Sequence, residues 1–178
     1  MHFLILGCKP TERNIEQHDA FFGIGDSLKS LLPQIENFWP DGGKIHIDSW
    51  RAITHVDSCR IKIIDKPDRF VPTEYKLFFL NLGGYKPNDL EEYHYKIFTV
   101  AKNKAAAIAH AKKTAFFQHN TVNSHIDDKY GVDVDDVYEI NDVLPVTLKN
   151  RYAVTIEKAD NLIQDSLHIG YLKLSSLM

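Results

Sequence analysis

An internal repeat constrains the fold more than any other feature, because a unit that occurs twice must fold in a similar way twice. Phe3-Leu4-Ile5-Leu6-Gly7 resembles Phe79-Leu80-Asn81-Leu82-Gly83. At the same spacing along the chain, Glu16-Gln17-His18 resembles Glu92-Tyr93-His94. Ordered matches at one constant spacing indicate a duplication.

The repeat continues beyond the first predicted helix of each unit. His46-Ile47-Asp48 resembles His125-Ile126-Asp127 at a spacing that a three-residue insertion explains. We therefore divide the chain into a first unit at 1–73, a second unit at 74–158 and a C-terminal extension at 159–178. A unit of this size with a single helix leaves one sheet face exposed, so we expect the units to pack together as one compact domain.

Each unit shows the same order of apolar and amphipathic segments. Predicted strands cover 3–6, 17–24, 44–53 and 59–64 in the first unit, 77–82, 93–100, 123–134 and 137–143 in the second, and then 151–157 and 167–174. Asp26-Ser27 and Asn103 are suitable caps for the two helices, and Pro33 predicts a kink or break in the first. The prediction is an α+β fold of two ββαβ repeats related by a pseudo-twofold axis, with mostly antiparallel sheet and helices packed on one face.

Composition narrows the classes of partner and the cellular setting. The formal net charge of −3 leaves no excess of Lys and Arg for phosphates, which argues against nucleic acid as a partner. Cys8 and Cys59 give no sign of a disulfide scaffold, and no apolar run is long enough to cross a membrane. We expect a soluble, cytoplasmic protein with no membrane partner.

Pairs of histidine and carboxylate two positions apart are the candidate site residues. Alternate residues of a strand share one face, so the members of each pair lie side by side. The candidates are Glu16, His18, His46, Asp48, Glu92, His94, His125 and Asp127. Two such pairs brought together would form a ligand set typical of zinc, manganese or non-haem iron, or a base with the group that orients it.

A structural interpretation of the same pairs is simpler, and we favour it at this stage. Phe22 and Phe98 lie on the same strand faces as His18 and His94, so these histidines can be core residues whose ring N–H groups are bound by carboxylates. Retention in both copies does not separate the two interpretations. Any metal or cofactor stays unidentified.

Three other motifs lack the context that their chemistry needs. No helix begins directly after Gly83-Gly84, so we predict a turn with positive φ instead of a phosphate loop. Asp133-Val134-Asp135-Asp136 lacks the order of a calcium loop and is interpreted as a solvated acidic turn. Cys8 has no cysteine counterpart in the second unit, which argues against a catalytic thiol.

Three segments together suggest a family. Glu16-Gln17-His18-Asp19 leading to Phe22, His46-Ile47-Asp48-Ser49-Trp50, and Asn81-Leu82-Gly83-Gly84-Tyr85 resemble the bacterial family catalogued as domain of unknown function 1543. The resemblance covers roughly residues 3–145, and members of that family also carry the unit twice. It implies no activity, cofactor or catalytic residue.

Two functions remain open from the sequence. The first is a non-enzymatic binding or interaction module for a small molecule or a protein, with its largest cleft along the pseudo-twofold axis and lined by residues 7–15 and 83–90. The second is a metal-dependent hydrolytic enzyme that uses Glu16, His18, His46 and Asp48 or their counterparts.

Overall fold

The computed structural model describes residues 1–85, 88, 90–120, 133–160 and 163–178. In chain order its elements are β1 (His2–Cys8), β2 (Gln17–Gly23), α1 (Leu32–Phe38), β3 (His46–Ala52), β4 (His55–Val56), β5 (Cys59–Asp65), β6 (Lys76–Tyr85), β7 (Glu92–Ala101), α2 (Lys104–Asn120), β8 (Asp133–Glu139), α3 (Ile140–Val143), α4 (Val146–Arg151), β9 (Tyr152–Lys158) and β10 (His168–Lys173). Among the described helices, none combines the length and the apolar character that crossing a bilayer requires.

The strands in the described part of the chain form three antiparallel sheets. The first sheet has the order β10-β3-β1-β2, the second β7-β6-β8 and the third β4-β5-β9. Every pairing within them is antiparallel. The predicted α+β class with mostly antiparallel sheet is confirmed.

Successive side chains of the strands β1 and β6 point to opposite faces of their sheets, so each sheet has two faces. On one face of the first sheet, Leu6 packs in a cluster with Ile35 of α1. On one face of the second sheet, Leu80 packs in a cluster with Ala107 of α2. The opposite faces of the two sheets meet through an aromatic core that contains Phe3, Phe22, Phe79 and Phe98. The helices α1 and α2 therefore lie on the outer faces, and the two sheets face each other.

Two late strands complete sheets that begin in the first unit. β10 pairs with β3 along the edge of the first sheet, and β9 pairs with β5 in the third sheet. The two predicted strands at 151–157 and 167–174 are therefore confirmed. The C-terminal extension therefore contributes the strand β10 to the first sheet.

Only the second of the two helices starts at its predicted cap, because α1 begins at Leu32 with Leu31 as its N-cap and no side-chain cap hydrogen bond, so the cap predicted at Asp26-Ser27 is wrong for α1. A 3-10 turn at Lys29–Leu31 precedes α1, and Pro33 lies in the first turn of α1, where its missing N–H leaves no hydrogen bond unmade. The helix predicted across this segment is therefore divided into a 3-10 turn and α1, and Pro33 stands at the start of α1 instead of breaking it. Asn103 caps α2, because its Oδ1 accepts a hydrogen bond of 2.9 Å from the amide of Ala106.

The second unit differs from the prediction in three places. The predicted strand at 137–143 is wrong beyond Glu139, since α3 begins at Ile140. The acidic turn at 133–136 is also wrong, because these residues belong to β8, which pairs with β6. The turn predicted at Gly83-Gly84 is wrong as well, since β6 continues through both glycines and pairs with β7 as far as Tyr85.

Candidate functional site

Four of the candidate residues meet at one end of the first sheet, and we name Glu16, His18, His46 and Asp48 the first cluster. Nε2 of His46 lies 3.1 Å from Glu16 Oε1 and 3.2 Å from Asp48 Oδ1. Nε2 of His18 lies 3.1 Å from Asp48 Oδ2 and 3.8 Å from Glu16 Oε2. The two histidine-carboxylate pairs thus come together as the sequence suggested they could.

A glycine on the central strand makes room for this cluster. Gly7 of β1 lies directly opposite His18 on β2 and His46 on β3. A Cβ atom on Gly7 would overlap His46 Nε2 and lie 2.9 Å from Asp48 Oδ2. The His46 imidazole and the Asp48 carboxylate therefore occupy the space that the side chain of any other residue at position 7 would fill.

A β-bulge places Asp48 at the cluster. Ile5 pairs with Ser49 and Leu6 pairs with Ile47, so Asp48 has no partner on β1. Bulges often re-aim a side chain near a site. Oδ2 of Asp48 is buried and has no hydrogen-bond partner among the described residues, although His18 Nε2 lies 3.1 Å away. The two atoms are therefore close without forming a hydrogen bond.

Burial differs sharply between the two histidines. The His46 side chain is only 5% exposed, and the Tyr171 ring of β10 lies over it at 4.3 Å between ring centroids. The His18 side chain is 49% exposed, and the His94 side chain is 39% exposed. The interpretation of His18 and His94 as core histidines is wrong, because both lie beyond the end of the aromatic core.

A second cluster, consisting of Glu92, His94 and Asp135, lies at the corresponding end of the second sheet. One ligand atom from each residue lies within 4.8 Å of the other two. Nε2 of His94 is 3.2 Å from Asp135 Oδ2 and 3.8 Å from Glu92 Oε2. A Cβ atom on Gly83 would lie 2.5 Å from Asp135 Oδ2 and 2.6 Å from Glu92 Oε1. Here too a glycine on the central strand leaves space for the cluster.

The second cluster contains Asp135, which the sequence analysis did not include. Asn81 pairs with Asp136 and Leu82 with Val134, so Asp135 occupies a bulge on β8 as Asp48 does on β3. The proposed counterparts His125 and Asp127 lie outside the described residues. The shared signal is a carboxylate directly after an apolar strand residue, Ile47-Asp48 and Val134-Asp135.

Between the two facing sheets lies a cavity of about 1130 Å³, which we name the central cleft. Both units contribute to it, and His18, Glu92 and His94 are among its lining residues. Its walls come mainly from β2, β6, β7, β8 and the helices α1 and α4. The predicted lining by residues 7–15 and by the described residues of 83–90 is wrong, because residues of these strands and helices form the walls instead.

Two side chains that line the central cleft have shifted pKa values, and a third has an atom without a hydrogen-bond partner among the described residues. Burial lowers the pKa of Lys96, although the nearby Asp19 opposes the change. Oδ1 of Asn81 is buried and lacks a hydrogen-bond partner among the described residues. A hydrogen bond to Asp136 raises the pKa of Tyr138. The cleft is therefore lined by the amine of Lys96 and by Asn81 Oδ1, an acceptor without a hydrogen-bond partner among the described residues.

Cys8 adjoins the first cluster in sequence but is not suited to be a nucleophile. Its side chain is buried, and burial together with the charges of Asp41 and Glu16 raises the pKa of its thiol. A reactive cysteine needs the opposite environment, in which the thiolate is favoured.

Comparison with known proteins identifies a family match across the first cluster. Residues 13–63 match the family model described as Domain of Unknown Function (DUF1543). The matched segment contains Glu16, His18, His46 and Asp48, so the resemblance to DUF1543 found in the sequence is confirmed over the residues of the first cluster. The DUF1543 description assigns no activity.

A solved structure resembles nearly the whole chain. The crystal structure of a protein Il1583 from Idiomarina loihiensis has a TM-score of 0.59 and 23% identity, and the match covers 97% of this chain and 95% of that chain. At that identity the similarity concerns the fold alone. No curated protein matches the chain. None of these comparisons gives evidence of an enzymatic function.

The exposure of His18 and His94 leads to a first testable prediction. In metal-free protein, His18→Ala and His94→Ala should each shift the melting temperature by no more than about 2 °C, because substitutions at exposed positions change the free energy of unfolding by about 0.5 kcal/mol or less. Thermal melts followed by circular dichroism measure this shift. A fall of several degrees in both variants would instead return these histidines to a structural role.

Proposed function

We propose that the protein is a binding module for a divalent transition-metal ion, which the first cluster holds through His18, His46, Glu16 and Asp48. The observation that carries the proposal is the set of nitrogen–oxygen separations of 3.1–3.8 Å in this cluster. Ligand atoms at about 2.0–2.2 Å from a tetrahedral ion are about 3.3–3.6 Å from one another. These four nitrogen–oxygen separations are therefore compatible with an ion held between the two histidines and the two carboxylates.

The donor set favours a particular kind of ion. Two imidazole nitrogens with two carboxylates suit Zn²⁺ and its neighbours in the first transition row better than Mg²⁺ or Ca²⁺, which prefer oxygen ligands. The buried His46 has one ring face covered by Tyr171, which restricts its orientation. A ligand held in one orientation loses less freedom when it binds.

Isothermal titration of chelator-treated protein with ZnCl₂ tests this proposal. We expect one Zn²⁺ bound at the first cluster with a Kd of about 1 µM or below, and a loss of at least about 100-fold, or about 2.7 kcal/mol, in His46→Ala and in His18→Ala. The matched control is His110→Ala, which removes a half-exposed histidine bonded to Thr99 outside both clusters. Equal Zn²⁺ affinity in wild type, His46→Ala and His18→Ala would overturn the proposal.

A metal-dependent hydrolase is the second candidate, and the position of the central cleft favours it. His18 belongs to the first cluster and also lines the cleft, so an ion there would border a space large enough for a small substrate. A bound divalent ion lowers the pKa of water toward about 7. Hydrolysis of p-nitrophenyl acetate or bis-p-nitrophenyl phosphate that is lost in His46→Ala but kept in His110→Ala would support it. If the protein binds Zn²⁺ but hydrolyses neither compound, the result supports the binding module and not the hydrolase.

We further propose that the two units arose by duplication. Support comes from the common order in which a central strand, β1 or β6, lies between two antiparallel neighbours. Each unit also has a glycine beside its cluster, Gly7 or Gly83, and an aspartate in a β-bulge, Asp48 on β3 or Asp135 on β8.

The proposed setting is the cytoplasm, and nucleic acid is not among the proposed partners. Cys8 and Cys59 are free thiols in the described structure, which suits a reducing compartment. The net charge of −3 supports a small ligand or ion over a phosphate backbone.

A further inference from the structure

We propose that the second cluster is a separate cation site, which favours a harder ion such as Mn²⁺ more than the first cluster does. Glu92, His94 and Asp135 present one ligand atom each within 4.8 Å of one another. The inference stands apart from Zn²⁺ binding by the first cluster, because the residues belong to a different sheet.

Features of the backbone position the residues of the second cluster. Gly83 lies opposite His94 in the register of β6 and β7, and its missing side chain leaves room for both carboxylates. The bulge at Asp135 directs this residue to the same end of the sheet. Two independent backbone features, a glycine and a bulge, thus bring three chelating side chains together.

The composition of the ligand set determines which ion fits. The first cluster contributes two imidazoles and two carboxylates, whereas the second contributes one imidazole and two carboxylates. Fewer nitrogen ligands reduce the preference for zinc and leave a larger share of oxygen ligands, which manganese and magnesium favour. The carboxylates are accessible as well, with the Glu92 side chain 35% and the Asp135 side chain 32% exposed. Water can therefore complete the coordination of an ion that keeps part of its hydration.

The second cluster lies beside the central cleft, as the first cluster does. Glu92 and His94 line this cleft, as does His18 of the first cluster. An ion at the second cluster would therefore border the same space as an ion at the first.

Titration with MnCl₂ tests the second site. Chelator-treated protein receives one equivalent of ZnCl₂, and free Mn²⁺ is then measured by its electron paramagnetic resonance signal. We expect one Mn²⁺ bound per chain. Because loss of an outer-shell partner alone lowers metal affinity about 10- to 100-fold, we expect Asp135→Asn to lower the Mn²⁺ affinity at least about tenfold. The control Glu139→Gln removes a carboxylate of the same strand that pairs with Lys76, and it should leave Mn²⁺ binding unchanged.

A parallel titration of His46→Ala separates this inference from the proposed function. Mn²⁺ binding that survives in His46→Ala and falls in Asp135→Asn belongs to the second cluster, whether or not the first cluster binds Zn²⁺. Absence of Mn²⁺ binding by wild type at millimolar concentration, or equal binding by wild type and Asp135→Asn, would overturn the second site.

Discussion

Gly7→Ala should abolish tight Zn²⁺ binding, with a loss of at least about 100-fold in affinity, even though it adds only one methyl group. The new Cβ would overlap His46 Nε2 and lie 2.9 Å from Asp48 Oδ2, so at least one ligand must move away. In a strand, replacing glycine with alanine normally gains about 0.5–1 kcal/mol. Here the overlap should reverse that gain and lower the stability by about 1–3 kcal/mol.

The matched control for this change is Gly83→Ala in the second sheet. Its Cβ would crowd Asp135 and Glu92 and leave the first cluster untouched. We expect Gly83→Ala to keep Zn²⁺ binding and to lose Mn²⁺ binding, and Gly7→Ala to do the reverse. Titration of both variants with both ions measures the crossover. Wild-type Zn²⁺ affinity in folded Gly7→Ala would contradict the role that we assign to this glycine.

Local patterns in the sequence were sufficient for the central strands and their neighbours. The apolar runs that predicted β1 and β6 are buried on the side that faces a helix, as Leu4 and Leu80 illustrate. Alternation then placed Glu16 beside His18 and Glu92 beside His94 correctly, because a strand of known start has only two faces. These inferences depend on residues close in sequence.

The sequence analysis missed Asp135 as a site residue because a bulge and the register are properties of paired strands, not of one strand alone. A bulge adds a residue to one strand, and nothing within His46-Ile47-Asp48 reveals where its partner strand skips. The resemblance to His125-Ile126-Asp127 was stronger by residue identity than the resemblance to Asp133-Val134-Asp135. Register with β6, which only the folded chain supplies, is what places Asp135 at the cluster.

The face of the strand on which a histidine lies does not predict how deeply the histidine is buried. Phe22 and His18 share a face, yet the first is buried and the second is half exposed. The reason is position along the strand, since the two sheets pack closely around the aromatic core and leave the central cleft beside His18. A periodic pattern gives the direction of a side chain but not the distance to the opposite sheet.

The C-terminal extension shows how far from its own unit a segment can act. β10 covers the edge of β3, and Leu172, Leu174 and Leu177 pack against the core on the α1 side of the first sheet. Asp165 accepts hydrogen bonds from the backbone amides of Thr54 and His55 at 2.7 and 3.0 Å, which ties the segment before β10 to the end of β3. The extension therefore supports the strand that carries His46 and Asp48.

A variant that lacks residues 163–178 should lose both stability and Zn²⁺ affinity. Three partly buried leucines at roughly 1 kcal/mol each amount to about 3 kcal/mol, which corresponds to a fall of about 6–12 °C in melting temperature for a chain of this size. Zn²⁺ affinity should fall at least about tenfold, because His46 loses the Tyr171 ring that covers it and β3 becomes an exposed edge.

Two point variants keep this prediction testable if the shortened chain does not fold. Tyr171→Ala should leave the melting temperature close to that of wild type, since the side chain is 63% exposed, but should weaken Zn²⁺ binding by removing the ring over His46. Ile169→Ser changes another exposed residue of β10, 81% exposed, and should alter neither quantity. Calorimetry of all three with ZnCl₂, beside Mn²⁺ titration at the second cluster, distinguishes a local effect on His46 from general loss of structure. If Tyr171→Ala binds Zn²⁺ as wild type does, the imidazole is positioned by Gly7 and the bulge alone, and β10 contributes only stability.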